Sequence, residues 1–387
     1  TYDSASRKVT VKYYLSDPTN GNKAYDLKAD CTGNCTTSNK FGNLRFYVAY
    51  QSLKNQPTTV TEYSSYNNGG SGANAYAYTG TNDGANHYSV QIAIPADTAT
   101  SEAKGTARVI SIGQIKETML DVVSRQPLAP TTLVNVSVQN TFKELALSGT
   151  LTPRRTVVSN DKCNACHSLL GTTSGSNMLA NAFHGGARDT VESCVLCHDA
   201  SRVSTGSVMA DGSSWNESYQ FKRMIHGIHG GERRTYPFTR NNKVVGAFGK
   251  DGKLLADGVT TLTAGAENFT AEVAYPGHLW DCNTCHVNNA YQKDLGTLGA
   301  VINKPIDPAT GVATTDPLLW KVISPKAAAC TACHDSGGVQ THVTSVGGAT
   351  FGGLTQGDYI GGKVLETCDG CHVAGGLAGV DTKHGIK

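Results

Sequence analysis

The cysteines of this 387-residue chain follow one spacing rule, which constrains its fold more than any other feature. Ten of the 12 cysteines lie after residue 160, and all ten belong to five copies of Cys-x-x-Cys-His. This pattern is the attachment signature of c-type haem, so the chain is predicted to carry five such haems. The five copies are Cys163, Cys166 and His167; Cys194, Cys197 and His198; Cys282, Cys285 and His286; Cys330, Cys333 and His334; and Cys368, Cys371 and His372.

Each motif supplies one axial imidazole, which makes its histidine the predicted proximal ligand of one haem iron. The ligand on the opposite side of the iron decides the function. An open position binds a substrate, whereas a second histidine closes the iron and favours electron transfer. The same part of the chain contains six further histidines, one more than five irons need. They are His184, His226, His229, His278, His342 and His384.

Five of these six histidines are predicted distal ligands: His184, His226, His229, His342 and His384. His226 and His229 are at positions i and i+3, so on a helical turn they project in neighbouring directions towards two packed haems; a surface pair is the alternative. His184 precedes two glycines, which permit a close approach of the backbone to a haem. His278 is the alternative ligand and is otherwise a packing residue or a partner of a haem propionate. Which distal histidine serves which iron is left open.

The charge balance argues against nucleic acid as a partner. Lys and Arg number 33 against 31 for Asp and Glu, a formal net charge of +2 with no broad basic field. Each ferric bis-histidine haem adds about −1, which brings the complete protein to about −3 when oxidised and about −8 when reduced. No apolar run reaches the roughly 18 residues of a membrane span.

The distribution of haem motifs and of alternating apolar residues along the chain predicts two domains. Residues 1–150 contain no haem motif and show the period-2 alternation of half-buried strands, as at Val9, Val11 and Tyr13. We predict an N-terminal all-β domain, an antiparallel sandwich or a small barrel, over 1–150. Residues 151–387 are predicted to form a loop-rich, mainly α multihaem cytochrome c domain. The 225 residues from Cys163 onward leave about 45 per haem, too few for separate haem folds, so short helices at each motif and haem-to-haem packing are expected.

Several segments resemble the outer-membrane multihaem cytochromes of the OmcA/MtrC type. The resemblance rests on Lys162–His167, on the Phe-His-Gly-Gly run at Phe183–Gly186, on Met224–Gly230, on Tyr275-Pro ahead of the third motif and on the terminal His-Gly. Members usually have ten haems in two halves, each a β-barrel followed by a pentahaem domain, and this chain resembles one such half. The resemblance implies bis-histidine ligation throughout, a location on the cell surface, and reduction of extracellular metal oxides or soluble carriers.

Cys31 and Cys35 are the two cysteines outside the haem motifs. Because haem attachment places the chain outside the cytoplasm, a disulfide between them is the expected state. A structural crosslink is the simpler interpretation. The alternative, which relatives imply, is a redox-active disulfide that modulates flavin docking.

These features lead to three functional hypotheses. The first is extracellular electron transfer through five bis-histidine haems to minerals, metal complexes, flavins or other multihaem cytochromes, with any activity resembling that of a metal reductase. The second is a multihaem reductase that acts on nitrite, hydroxylamine or a sulfur oxyanion at an open haem; a variant motif with lysine in place of histidine, common in such enzymes, is absent from the sequence. The third is a homo-oligomer or conducting filament. The expected location is extracellular or at the outer-membrane surface.

Overall fold

A computed structural model describes most of the chain, and the structural statements below concern its described residues. These are residues 1–18, 21–27, 44–51, 65–66, 73–74, 83–95, 104–124, 126–127, 133–171, 183–204, 207–208, 214–215, 217–240, 267–292, 295–296, 298–363 and 365–386. Cys31 and Cys35, the predicted disulfide, lie outside them. No helix in this described part combines the length and the apolar composition that crossing a membrane requires.

The chain divides into two compact units. The first unit comprises Thr1–Ser52, Ser65–Pro153 and Asn160–Leu196, and the second comprises Leu53–Ser64, Arg154–Ser159 and Cys197–Lys387. The first haem motif is therefore part of the strand-rich unit. The predicted division between residues 150 and 151 stays a prediction.

The first unit is built mainly from antiparallel sheets. Its larger sheets have the strand orders β12-β9-β5-β6, with β7 also on β5, and β1-β2-β8; β10 pairs with β11 and β3 with β4. The strands are β1 (Tyr2–Asp3), β2 (Lys8–Tyr13), β3 (Ser16–Asp17), β4 (Lys23–Ala24), β5 (Arg45–Gln51), β6 (Ser65–Tyr66), β7 (Ala73–Asn74), β8 (Tyr88–Ala93), β9 (Lys104–Ile112), β10 (Gln114–Thr118), β11 (Leu133–Ser137) and β12 (Phe142–Ala146).

Alternating apolar side chains form the core of this unit. Val9 of β2 and Val90 of β8 lie in the same buried cluster as Phe46 and Val48 of β5 and Val109 of β9. The cluster therefore contains side chains from both of the larger sheets. The predicted antiparallel strands of the N-terminal region are confirmed, whereas their closure as a sandwich or a barrel stays a prediction. Two helices and a 3₁₀ turn complete the described elements of the unit: α1 (Asn160–His167), the turn Phe183–Gly186 and α2 (Val191–Cys197), which ends one residue into the second unit.

The second unit consists of short helices, 3₁₀ turns and loops around a small sheet. Its helices are α3 (Phe221–His229), α4 (Phe269–Glu272), α5 (Pro325–Cys330), α6 (Gly337–Ser345), α7 (Gln356–Ile360), α8 (Asp369–His372) and α9 (Val380–His384). The 3₁₀ turns include Gly231–Arg233, Cys282–Thr284, Ala290–Gln292 and Pro317–Leu319. The predicted helices at the haem motifs are thus confirmed for the first, second, fourth and fifth motifs, and the third motif lies on a 3₁₀ turn.

A five-stranded sheet in this unit was not predicted. Its strand order is β13-β14-β17-β18-β19, and a separate pair joins β15 to β16. Buried residues of this sheet, among them Ile302, Ile323 and Phe351, pack with Ala328 of α5 and Val343 of α6. The sheet therefore supports the helices on both sides of the fourth motif. The strands are β13 (Ser207–Val208), β14 (Ser214–Trp215), β15 (Thr239–Arg240), β16 (Glu267–Asn268), β17 (Ala300–Asn303), β18 (Lys321–Ile323) and β19 (Phe351–Thr355).

Candidate haem centres

Three pairs of histidine rings face each other in the second unit. The ring centres of His226 and His286 are 6.1 Å apart, those of His334 and His384 are 6.0 Å apart, and those of His342 and His372 are 6.1 Å apart. Every pair joins a motif histidine to a predicted distal histidine. The structure thus brings together the third, fourth and fifth motifs with the histidines at 226, 384 and 342.

The spacing of these rings fits a metal ion between them. A metal–imidazole bond is about 2.0–2.1 Å long and a ring centre lies about 1 Å behind its nitrogen, so two imidazoles on opposite sides of one metal have centres about 6 Å apart. Each pair lies beside the two cysteines of its motif, whose thiols can form the thioether bonds of c-type haem. This donor set fits c-type haem at all three places.

Backbone carbonyl groups fix the orientation of several rings. The Nδ1–H of His372 donates to the carbonyl oxygen of Ala378, that of His198 to Tyr219, and that of His229 to Ile225, each over 2.9 Å. A histidine that donates through Nδ1 presents the lone pair of Nε2 to a metal. These hydrogen bonds therefore prepare two proximal and one distal histidine for ligation.

Burial favours the neutral form of three predicted distal histidines of this unit, His226, His229 and His384. Burial, with smaller effects of His286 and His229, lowers the pKa of His226 to about 4. Burial also lowers the pKa of His229, and burial followed by the neighbouring His334 lowers that of His384. Metal ligation requires neutral imidazole. Protonation consequently competes little with ligation at these positions near neutral pH.

Local structure also holds the third and fourth motifs in place. The extended segment before α1 pairs with the third motif, because Val158 bridges His286 and the amide of Ser159 donates to the carbonyl oxygen of Cys285 over 3.2 Å. At the fourth motif, the carboxylate of Glu366 accepts hydrogen bonds from the first amides of α5, at Lys326 and Ala327, each over 2.9 Å. An anion at this end of α5 is favourable, so Glu366 stabilises the helix that leads into Cys330.

The first motif and His184 belong to the first unit. His167 ends α1, and His184 lies on an exposed turn with a left-handed backbone (φ +51°) that continues through Gly185 and Gly186. Side chains of β10 and β11 hold this turn, since Gln114 donates to the carbonyl oxygen of Gly185 and Ser137 donates to that of Gly186. The distal partners of His167 and His198 stay predictions.

His278 lies at the surface ahead of the third motif. Its ring stacks on that of Trp280, with centres 4.8 Å apart, and the guanidinium of Arg233 lies 5.5 Å from the centre of the same indole. Within the described residues, the ring of His278 thus contacts Trp280 rather than a motif histidine. Its role as an alternative ligand stays a prediction.

The sequence analysis missed a group of buried charges beside the fourth motif. Arg223 and Arg234 form ion pairs with Glu217 and Asp335 in the second unit. These residues have no motif spacing, and charged residues are ordinarily expected at the surface. Only the position of Arg223 three residues before His226 places it near a predicted ligand.

Comparisons with known proteins identify the family. No curated protein matches the chain. Among solved structures, the crystal structure of MtrC from Shewanella baltica OS185 is similar over 95% of this chain and 52% of that one, with 16% identity and a TM-score of 0.43. This chain therefore spans about half the length of that protein. The family model described as outer membrane cytochrome MtrC/MtrF-like, domains II/IV, matches residues 155–385. The chain belongs to the MtrC/MtrF-like outer membrane cytochromes, which confirms both the predicted family and the predicted location at the outer-membrane surface.

Proposed function

We propose that this chain is an extracellular electron-transfer protein that holds five c-type haems, each between two histidines. The observation that carries the proposal is the set of three histidine pairs with ring centres 6.0–6.1 Å apart. His184 and His229 are the proposed ligands that close the two remaining irons. The acceptors are minerals, metal complexes, flavins or other multihaem cytochromes.

The side chains of the chain have three tasks in this function. When bound, c-type haem supplies an iron that changes its charge by one electron. The motif thiols would fix the position of the group covalently, and the paired imidazoles would both ligate its iron. Carbonyl groups such as that of Ala378 hold the imidazole tautomer that ligation needs. An iron held by two imidazoles would have no open site for a substrate, which favours electron transfer over bond-making chemistry.

Spin state is the direct test of the proposal. Bis-histidine ligation makes ferric haem low-spin, so we expect low-spin signals that integrate to five haems in electron paramagnetic resonance (EPR) and magnetic circular dichroism of the oxidised protein. A high-spin ferric signal equal to one haem per chain would contradict the proposal and favour the reductase of a nitrogen or sulfur oxyanion. A haem count below five, from the pyridine haemochrome assay and protein mass, would contradict the stoichiometry.

Removal of a distal ligand tests the residues themselves. In His226→Ala or His229→Ala we expect one iron to become accessible, so that the reduced variant binds one equivalent of carbon monoxide. His278→Ala is the matched control, because this exposed histidine stacks on Trp280, and it should bind none. If neither variant at 226 or 229 produced a carbon monoxide difference spectrum, both residues would be removed from the ligand set.

The proposal also includes the finer features of the fold and assembly. We propose a sandwich or barrel over 1–150, a haem domain over 151–387 and a Cys31–Cys35 disulfide. Other multihaem cytochromes are the proposed protein partners, and a homopolymeric filament is the alternative assembly. Size-exclusion chromatography and negative-stain imaging test for the filament. A filament appears as extended particles, whereas a stable monomer in dilute solution argues against a filament.

A further inference from the structure

Three buried charged residues and the half-buried Glu217 form a cluster beside the fourth motif, which we call the charge cluster: Glu217, Arg223, Arg234 and Asp335. The exposed fractions are only 2% for Arg223, 8% for Arg234 and 4% for Asp335. Arg223 Nε lies 2.5 Å from Glu217 Oε1, while Arg234 Nη2 lies 3.9 Å from Glu217 Oε2 and 3.6 Å from Asp335 Oδ2. Two cations face two anions, so the cluster as a whole is neutral.

The arginines of the cluster bind the backbone of the fourth motif. Arg223 Nη1 donates to Thr331 Oγ1 over 3.1 Å and to the carbonyl oxygen of Ala328 over 3.4 Å. Arg234 Nη1 donates to the carbonyl oxygens of Ala332 and Thr331. Arg234 thus holds both residues that separate Cys330 from Cys333, while Arg223 holds the side chain of one of them, Thr331, and the end of α5 at Ala328.

Asp335 joins the other end of the motif to the same cluster. Its carboxylate accepts from the amides of Thr235 over 2.8 Å and Tyr236 over 2.7 Å. The fourth motif is therefore fixed on both sides by residues of the segment that follows α3.

Helix α3 also reaches the third motif. Its His226 pairs with His286 of that motif, while the carbonyl oxygen of His226 lies 3.4 Å from Cys333 Sγ of the fourth motif. The helix end packs tightly here, because a Cβ added at Gly230 would lie 2.8 Å from the same sulfur atom. One helix therefore supplies a predicted ligand to one haem site and touches the thioether position of the next.

The charged groups of the cluster touch the fourth motif directly, since Arg223 Nη1 lies 3.1 Å from Thr331 Oγ1. A buried ion-pair network contributes little net stability compared with apolar packing, so its presence needs another explanation. One explanation is that the network fixes the position of α3 against the fourth motif. Another is that it sets the electrostatic potential at that motif.

We propose that Arg223 and Arg234 are positioning residues that hold the His226 helix on the fourth motif, and that the neutrality of the charge cluster sets the reduction potential of the haem bound there. This inference rests on the proposed electron-transfer function. The third and fourth haem sites then form a coupled pair, because α3 is common to both. A change in the charge of the cluster therefore shifts the electron affinity of this pair.

Two substitutions of opposite charge test the proposal. Glu217→Gln gives the cluster a net charge of about +1, which favours reduction, and Arg223→Met gives about −1, which opposes it. Over distances of about 10 Å in protein, a unit charge changes an equilibrium constant on the order of tenfold, or 59 mV for one electron. We expect potentiometric titration followed by EPR to show shifts of this size and of opposite sign in one or two of the five steps.

Matched variants separate this effect from a general structural one. Glu267→Gln removes the same charge from the exposed ion pair with Arg240. In this control variant the equilibrium constant of each reduction step should stay within about twofold of its value in the parent protein. Glu217→Asp keeps the charge and should restore the parent potentials; it remains informative if Arg223→Met fails to fold. Shifts of the same sign in both test variants, or no shift in Glu217→Gln, would overturn the proposal. If five low-spin haems are nevertheless present, the proposed function survives that failure.

Discussion

At the scale of single residues, the angle between paired imidazoles is an observable of the predicted haem centres. The ring planes of His342 and His372 are inclined by 83°, whereas those of His334 and His384 are inclined by 25° and those of His226 and His286 by 38°. Imidazole π orbitals split the iron d orbitals strongly when the rings are parallel and weakly when they are perpendicular. We therefore expect the fifth-motif haem to give a highly anisotropic low-spin EPR signal, and the third- and fourth-motif haems to give rhombic ones.

The variant His342→Ala assigns that signal. It should lose the highly anisotropic component and retain the rhombic signals, whereas His278→Ala should retain the full spectrum. Loss of a rhombic signal instead would show that His342 serves a different iron.

The sequence predicted which histidines are ligand candidates but not how they pair. The proximal histidines are recognisable because a covalent attachment needs its two cysteines and its histidine close together in sequence. His334 and His384, by contrast, are separated by a long stretch of chain and meet only after folding. Arg223 and Arg234 were missed for a similar reason, since their partners are defined by tertiary packing and not by spacing.

At the scale of elements, the turn that carries His184 depends on a buried pair of side chains. The backbone amide of Asn140 donates to Asp189 Oδ1 over 3.1 Å, and the backbone amide of Asp189 donates to the side-chain oxygen Oδ1 of Asn140 over 2.9 Å. Asn140 Nδ2 also donates to the carbonyl oxygen of Ala187 over 3.3 Å. Asn140→Ala removes Oδ1 and Nδ2, so the buried backbone amide of Asp189 loses this acceptor and the carbonyl oxygen of Ala187 loses one of its donors. We expect a loss of about 2 kcal/mol in the free energy of unfolding, measured by urea denaturation. The exposed Asn135→Ala should change it by less than about 0.5 kcal/mol.

The buried carboxyl group of Asp189 should make the stability of the folded protein depend on pH. Burial raises the pKa of this carboxyl group, and the hydrogen bond from Asn140 only partly opposes the effect. A raised pKa means that the folded state binds the proton more tightly, so ionisation costs stability as the pH rises through the folded-state pKa. Asp189→Asn keeps the acceptor and removes the charge. The variant should therefore gain stability relative to the parent near pH 7 and lose that advantage near pH 3, below the unfolded-state pKa of about 3.9. An advantage that is equal at both values would contradict the assigned cause.

The predictability of the strands depended on where their side chains point. Alternation predicted β2 and β8, each of which has one buried and one more exposed face. It also predicted β5, whose residues Phe46–Tyr50 are all buried, and β11, in which Val136 is exposed, because the sequence of both strands alternates even though their burial does not. It missed β9, whose residues from Thr106 to Ile112 are all buried and show no period. It missed β17 for the same reason, since all four residues of Ala300–Asn303 are buried. Continuous burial removes the contrast on which the sequence pattern relies.

At the scale of the whole molecule, the haem motifs and family segments were enough to predict the family, but the partition into units was not predictable. Asn160–Leu196 belongs to the first unit although its sequence carries the haem motifs typical of the second. Contacts such as those of Asn140 with Asp189 cause this grouping. Such contacts link residues far apart in sequence and leave no local signal.

Charge gives the last prediction. The polypeptide has a formal net charge of +2, and the five proposed ferric bis-histidine haems, at about −1 each, would bring it to about −3. Full reduction adds five electrons and brings the charge to about −8. We therefore expect the oxidised protein to bind an anion-exchange column weakly and the fully reduced protein to elute at distinctly higher salt. Adsorption to a positively charged mineral surface should strengthen on reduction and weaken with ionic strength.

A variant with one haem fewer calibrates this change. Cys163→Ala combined with Cys166→Ala removes the first attachment site, so the elution shift on reduction should fall by about one fifth if each haem contributes equally. Identical elution of the oxidised and reduced parent would mean that proton uptake balances every electron. In that case reduction would leave the long-range field unchanged, and the affinity for a charged acceptor would have to arise from local charged groups at the surface.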